Sequence, residues 1–326
     1  KVHQNVYKLN QEQIKNGKLL RYEGKLLCHR INSTIHYQGM QNVDLVIEAT
    51  FEDLESKKQV FVELEPLLSP HCIVGSTTSS IPLNSMVSSF THPERFFGLH
   101  FFNPEPKNSI VEVVVLDTTS TESLEKVLSF VKKIKKIPIV VKDCPGFLVS
   151  RILMMGMLEA LILMQEGVNQ SFLDKSMQRF GLPMGPCLLA DEVGLDIIIN
   201  VAKSFEKHYG KRVYIPKLLE QIVEHGFLGR KTGKGFYLFD GKDKQVNPDI
   251  NQILGIHSIK NISEKQIVQR ILLAMVNEAT RCLEEKISGD PDQIDLAMVL
   301  GAAFPSYLGG PMKYLERRGK ESIKQE

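Results

Sequence analysis

Over its first 143 residues the chain alternates short apolar runs with longer stretches in which apolar side chains recur every three or four positions. The segment Asp44-Leu45-Val46-Ile47-Glu48-Ala49-Thr50 predicts a buried strand, and residues 53 to 68 predict an amphipathic helix. Strand-like runs follow at Cys72 to Ser76, Phe96 to Phe102 and Ile110 to Leu116. A helix opens near Thr119 and Glu122, which have the spacing of a capping box, and ends before the strand Ile137 to Val141. Alternation of this kind predicts an α/β sheet, mainly parallel. Residues 1 to 36 are polar and lysine-rich, and read as the tail of a helix and a connection.

The pattern changes after Pro145-Gly146. From Phe147 to about Met164 the chain is apolar almost all round at helical length, which describes a helix buried on several sides. The rest is helical in pattern, broken by Gly and Pro, and it repeats itself. Val149-Ser150-Arg151-Ile152-Leu153 recurs as Val268-Gln269-Arg270-Ile271-Leu272, and Glu159-Ala160 recurs at the same offset as Glu278-Ala279. Gly181-Leu182-Pro183 with Gly185-Pro186 is echoed by Phe304-Pro305 with Gly309-Gly310-Pro311. An ordered series of helix, acidic segment and Gly/Pro turn points to duplication. The expected organisation is therefore an α/β domain over 1–143, a first helical copy over 144–241, a polar linker over 242–263, and a second helical copy over 264–326.

Composition narrows the class. With 326 residues, 43% hydrophobic and 24% charged, the chain has the make-up of an ordinary globular protein of two or three domains. A net charge of +2 gives no reason to expect nucleic acid or an anionic membrane surface as partner. Lys132, Lys133, Lys135 and Lys136 fall at a helix end, where cations suit the helix dipole. Five scattered cysteines without a C-x-x-C pair predict a reducing compartment, with neither a disulfide framework nor a zinc site. No targeting segment and no membrane-length apolar run is visible, and the first residue is Lys1 rather than Met, which suits a processed or partial chain.

The candidate chemistry lies in Gly98-Leu99-His100-Phe101-Phe102-Asn103-Pro104 and in the valine-rich run carrying Glu112. A turn holding Pro104 and Pro106 lets the two segments fold back and bring imidazole and carboxylate together. A carboxylate on the second nitrogen of a histidine fixes its tautomer and stabilises the imidazolium, which equips the pair to take a proton from an alcohol. A histidine beside an apolar strand can equally be a satisfied core residue, and Glu112 can lie on an exposed edge. The residues alone leave both readings open.

An α/β domain with an acid/base pair invites a search for G-x-G-x-x-G at an opening strand, and the sequence has none. The glycine-rich stretch from Gly226 to Gly235 fits neither that motif nor a Walker A loop, and reads as a tight turn into the strand-like Phe236 to Phe239.

Six ordered segments carry a resemblance: VIEATFEDLESKK ending at Lys58, STTSSIP (76–82), GLHFFNP (98–104), VKDCPGFLVSR (141–151), DEVGLD (191–196) and GFLGRKTGKGFY (226–237). Together they resemble the L-3-hydroxyacyl-CoA dehydrogenases. Continuation through GAAFPSYLGGP (301–311) makes the chain most similar to the dehydrogenase region of multifunctional (trifunctional) fatty-acid oxidation alpha subunits. The resemblance implies NAD-dependent oxidation of L-3-hydroxyacyl-CoA to 3-ketoacyl-CoA. His100 would be the general base, Glu112 its orienting carboxylate, and Ser79 a hydroxyl near thioester and nicotinamide. Ser150 stands where the family commonly has asparagine before the arginine of P-G-F-x-x-N-R, and Thr77 where it usually has asparagine. Glu52, Lys57, Ser79, Asn103 and Lys231 match positions that contact NAD.

In the family a strand, the glycine loop, a helix and a second strand precede the part resembling Lys1 onward. The expected nucleotide domain is therefore an incomplete Rossmann fold lacking a βαβ unit of roughly 30 residues. This stretch by itself is expected to be nearly inactive. Implied partners are a second copy of the chain or a thiolase subunit in an alpha/beta complex, with an enoyl-CoA hydratase domain upstream in the parent protein. The implied location is the bacterial cytoplasm, or else the mitochondrial matrix or peroxisome. The competing class is a catalytically impaired, dehydrogenase-like scaffold or dimerisation module, and a sugar-acid 3-dehydrogenase is a weaker third.

Overall fold

The structure is a computed structural model and describes residues 2–79, 81–103, 108–253, 255 and 261–319. The polar N-terminal stretch forms a helical hairpin, α1 (Val2–Lys15) and α2 (Arg21–His29). Gly24 lets the two helices approach: a Cβ there would lie 2.9 Å from Ile14 Cδ1, and Asn10 donates to the Gly24 carbonyl at 3.1 Å.

The alternating segments then build a sheet: β1 (Leu45–Glu48), α3 (Leu54–Leu64), β2 (Ile73–Ser76), α4 (Asn84–Val87), β3 (Phe96–Phe101), β4 (Ile110–Val115), α5 (Thr121–Lys133) and β5 (Ile137–Lys142). Its five strands lie in sequence order, all neighbours parallel except the antiparallel pair β3–β4. Both faces are covered, which explains why β4 reads as an unbroken valine run. Phe61, Val114 and Ile139 belong to the core on one side, and Val111, Val113, Val127 and Val131 to that on the other. The cap of α5 differs from the expected Thr119/Glu122 box. Ser120 is the N-cap, accepting from the Ser123 amide, while the Thr119 hydroxyl donates to the Phe96 carbonyl and ties the turn to β3. Tertiary bonding displaced the local motif by one residue.

The helical region follows with α6 (Val149–Gln165), α7 (Gln170–Phe180), α8 (Pro186–Val193), α9 (Leu195–Tyr209) and α10 (Lys217–Glu224). Next come β6 (Tyr237–Asp240), β7 (Asp243–Val246), α11 (Asp249–Ile253), α12 (Glu264–Glu284), α13 (Pro291–Gly301) and α14 (Pro311–Arg318). The stretch expected as a linker over 242–263 is in part ordered structure. β7 pairs antiparallel with β6, buried Asn247 donates to the Gly235 carbonyl at 2.7 Å, and Ile250 of α11 is buried. All four β7 side chains are exposed, so a paired strand carries linker-like composition.

The repeat has a matching interior. Arg151 bonds Glu278 and Glu285 across the α6–α12 contact, and Arg270 bonds Glu159 and Glu166 in return. Asp174 accepts from the first-turn amides Cys187 and Leu188 of α8, as Asp295 does from Met312 and Lys313 of α14. A Cβ on Gly185 or Gly310 would come within 2.3 Å of that aspartate, so both turns need glycine. Among the described residues, no helix is long and apolar enough to cross a membrane.

Candidate active site

Antiparallel pairing of β3 with β4 sets His100 directly opposite Glu112. Side chains opposite one another share a face of the sheet, and the His100 Nδ1 to Glu112 Oε2 distance is 2.5 Å. Glu112 is fully buried and His100 is 7% exposed. The other carboxylate oxygen accepts from the Leu148 and Val149 amides at 3.1 and 2.9 Å, where the 17-residue α6 begins. The anion therefore caps the positive end of a long buried helix, which satisfies two of its orphan donors. The exposed-edge reading of Glu112 is thereby excluded: the carboxylate is buried and three hydrogen bonds hold it.

The loop ahead of α6 is shaped for that contact. Gly146 has φ +77, and a Cβ there would lie 2.4 Å from the Phe205 ring. Phe147 adopts φ +50, rare for a residue with a side chain. Its ring and that of Phe102 stand 5.6 and 4.6 Å from the imidazole. With Nδ1–H donated to Glu112, Nε2 carries the lone pair that can accept a proton. Ser150 follows Val149 on the first turn of α6, half-buried, so the same helix start serves both residues. The Pro104–Pro106 turn and Ser80 lie outside the described residues.

A second group gathers at the ends of β1 and β2. Buried Glu48 accepts from the Ser76 hydroxyl (2.6 Å), from the amide and hydroxyl of Thr50 (2.5 and 2.6 Å) and from Lys57 (3.0 and 3.1 Å). Burial pushes its carboxyl up, but these donors outweigh it and hold the group below the usual glutamate range. Lys57 also lies 3.4 Å from Glu52, and Glu52 in turn accepts from the Thr78 hydroxyl (2.7 Å) and the Ser79 amide (3.1 Å). Lys57 is 1% exposed, so it holds Glu48 and Glu52 in place while Glu52 and Ser79 face solvent. β2 and β3 pair Ser76 with Gly98.

Asn103, just beyond β3, is exposed and borders an apolar cavity. Lys231 is placed apart: its ammonium bonds Asp196 within the helical region. Near it Asp191 accepts from the Phe236 and Tyr237 amides at 2.9 and 2.8 Å, so the DEVGLD and GFLGRKTGKGFY segments interlock. Sequence reasoning missed Asp143, whose oxygens accept from the Leu83 and Asn84 amides and hold α4 against the loop that leads to α6. An acid immediately before Cys144-Pro145-Gly146 was its only visible signal. The paired Leu148 and Val149 amides left no trace in residue identity, because backbone donors carry none.

Comparisons with known proteins identify the family. The model of the 3-hydroxyacyl-CoA dehydrogenase NAD binding domain matches residues 1–144, and that of the C-terminal domain of the same family matches residues 146–238. The fatty acid oxidation complex subunit alpha of Shewanella amazonensis is 38% identical over 317 residues, 96% of this chain and 45% of that protein. That of Shewanella halifaxensis is 37% identical, covering 98% of this chain and 45% of that protein. The chain thus spans less than half the length of these relatives. Among solved structures, the (S)-3-hydroxybutyryl-CoA dehydrogenase from Ralstonia eutropha is 33% identical with a TM-score of 0.68, covering 71% of this chain and 82% of that one. The 3-hydroxybutyryl-CoA dehydrogenase from Escherichia coli K12 shares the fold, with a TM-score of 0.86 at 23% identity over 98% of this chain and 84% of that one. On these matches, and on the motifs that build the site, the chain belongs to the 3-hydroxyacyl-CoA dehydrogenase family.

Proposed function

We propose that this chain carries the L-3-hydroxyacyl-CoA dehydrogenase activity of fatty-acid β-oxidation, oxidising (S)-3-hydroxyacyl-CoA to 3-ketoacyl-CoA with NAD. The observation that carries this reading is the His100–Glu112 pair, buried, 2.5 Å apart and anchored by the first amides of α6. A scaffold has no need of a carboxylate held by three donors against a histidine with one nitrogen left for a ligand.

His100 Nε2 takes the proton of the substrate's 3-hydroxyl as the O–H and C3–H bonds break and the C3 carbonyl forms. Glu112 fixes the ring and stabilises the imidazolium. Phe102 and Phe147 keep water from the ring. Ser79 and Ser150 supply hydroxyls to the developing and thioester carbonyl oxygens. The carboxyl ends of β1, β2 and β3 make the crevice in which parallel α/β sheets bind dinucleotides, and the exposed Glu52, Ser79 and Asn103 suit the nicotinamide end of NAD. When bound, NAD supplies the hydride acceptor. Lys57 would support Glu52 from beneath, and Lys231 would reach the cofactor from the helical side.

We read 1–143 as the nucleotide domain, with two helical copies after it that meet through α6 and α12. In the parent protein the same reading gives an enoyl-CoA hydratase domain upstream, and as partner a second alpha chain or a thiolase subunit. Its location is the cytoplasm in a bacterium, or the mitochondrial matrix or peroxisome otherwise. The test is an NADH-linked assay of the intact protein on acetoacetyl-CoA and on an acetoacetate control without CoA. Turnover confined to the thioester is expected, with Ser150→Asn raising kcat if the shorter hydroxyl limits polarisation. Absence of thioester turnover in the intact protein would refute the reading.

A further inference from the structure

A cavity of about 560 Å³ lies between the two helical copies, lined by Leu153, Met157, Met177, Met184 and, from the second copy, Met275, with Asn103 near its strand side. Ser150, Leu153 and Met157 are spaced i, i+3 and i+7 on α6, which places them on one face of the helix. That face begins at the Glu112 cap and ends inside the cavity. Gly156 forms part of the same wall. A Cβ there would lie 2.7 Å from Met275 Cγ, so the absence of a side chain is what lets α12 bring its methionine to the cavity floor.

We infer that this cavity takes the acyl tail of the thioester substrate beyond C4, and that Gly156 and Met275 set the chain length it accepts. The inference rests on the dehydrogenase reading above and adds the residues that decide among acyl chain lengths. Three observations carry it. Asn103, three residues beyond His100 at the end of β3, and Leu153, one turn into the helix that Glu112 caps, both line the cavity. Its polar side chains lie toward the strands, where the reacting carbons would sit, and its deep wall is apolar. The alternative occupant, the pantetheine arm of CoA, has two amides that a methionine wall would leave unpaired. Unbranched thioethers re-pack around chains of different length, as suits a series of homologous substrates. At roughly 30 Å³ per methylene, about the share of one water in the liquid, the cavity has room for a long tail.

The experiment measures kcat/KM and direct calorimetric binding for the intact protein with 3-ketoacyl-CoA of four and sixteen carbons. Wild type and Gly156→Leu are compared, with Leu182→Trp as a second variant on the half-buried loop at the cavity rim. Wild type is expected to favour the longer substrate, each seated methylene contributing about three- to fourfold. Both variants should lower the ratio of long to short by at least about tenfold while retaining short-chain turnover, which also reports that they fold. An unchanged ratio in variants that still turn over the short substrate would overturn the inference. Loss of all turnover in wild type counts against the dehydrogenase reading instead. The binding arm then decides the cavity alone: length-dependent binding lost in Gly156→Leu sustains it, and length-independent binding overturns it.

Discussion

The two helical copies share an interior and differ at one end. In both, an arginine reaches across to two glutamates of the opposite helix, and an aspartate receives the first amides of a Gly-Pro helix. Their long helices begin differently. α12 opens on an ordinary capping box, with Ser263 accepting from the Gln266 amide and the Gln266 side chain returning the bond. α6 opens on Glu112, a carboxylate from a sheet strand that also holds His100. The repeat thus shares the packing device, whereas the His100–Glu112 pair depends on what the sheet delivers to one helix terminus. The lesson is that a helix start can be closed by its own side chains in one setting and by the carboxylate that holds a buried histidine in another.

The comparison breaks most sharply through turnover. His100→Gln should lower kcat by about 10²- to 10⁴-fold, while Ser263→Ala, which strips the cap of α12, should leave kcat unchanged and cost about 1 kcal/mol of stability. A comparable loss of kcat in both would mean that the second copy shares the chemistry. Next in size is an asymmetry inside the shared interior. The Arg151–Glu278 pair is 0% and 1% exposed, whereas Arg270 and Glu159 are 33% and 20% exposed. Glu278→Ala removes one of the two carboxylates on a guanidinium that solvent does not reach and leaves Glu285, so it should cost about 2–3 kcal/mol in denaturant melts. Glu159→Ala should cost about 1 kcal/mol, since solvent reaches its partner. Equal penalties would show that burial does not distinguish the two.

The smallest effect belongs to the first copy alone. Burial pushes the Asp191 carboxyl up to about 7, despite hydrogen bonds from the Phe236 and Tyr237 amides. A carboxyl raised in the folded state contributes stability that is complete below the ordinary aspartate range and is lost as pH rises through about 7. Hydrogen-exchange protection of Phe236 and Tyr237, corrected for intrinsic rates, should therefore fall roughly tenfold from pH 6 to pH 8. Asp191→Asn should flatten that slope, and the α12 amides should show none of it. Protection that rises with pH would reverse the assignment.

Much of the frame was legible in advance. The strands from Leu45 to Lys142 lie where apolar runs predicted them, because a strand covered on both faces must be apolar throughout. The repeat set Arg151 against Arg270 and Glu159 against Glu278 in the sequence, but that each arginine crosses to the other copy's glutamates came only from the packing of α6 on α12. The supposed linker was misread because β7 buries none of its side chains, and pairing through the backbone leaves no mark on composition. Lys57 was expected at the cofactor and is instead an internal support, since identity at a motif position does not reveal which way an ammonium is turned.

The amino-acid sequence by itself determined the family, the mixed α/β-then-helical order, the internal repeat of residue pattern and the pairing of His100 with Glu112 as candidates, all properties of residue type and spacing. Tertiary structure decided that Glu112 is capped by Leu148 and Val149, that Lys231 bonds Asp196, and that an apolar cavity opens between the copies beside Gly156. Those outcomes depend on backbone donors, side-chain direction and empty space. None of the three is written in the order of the residues, and each exists only once helices and sheet have packed.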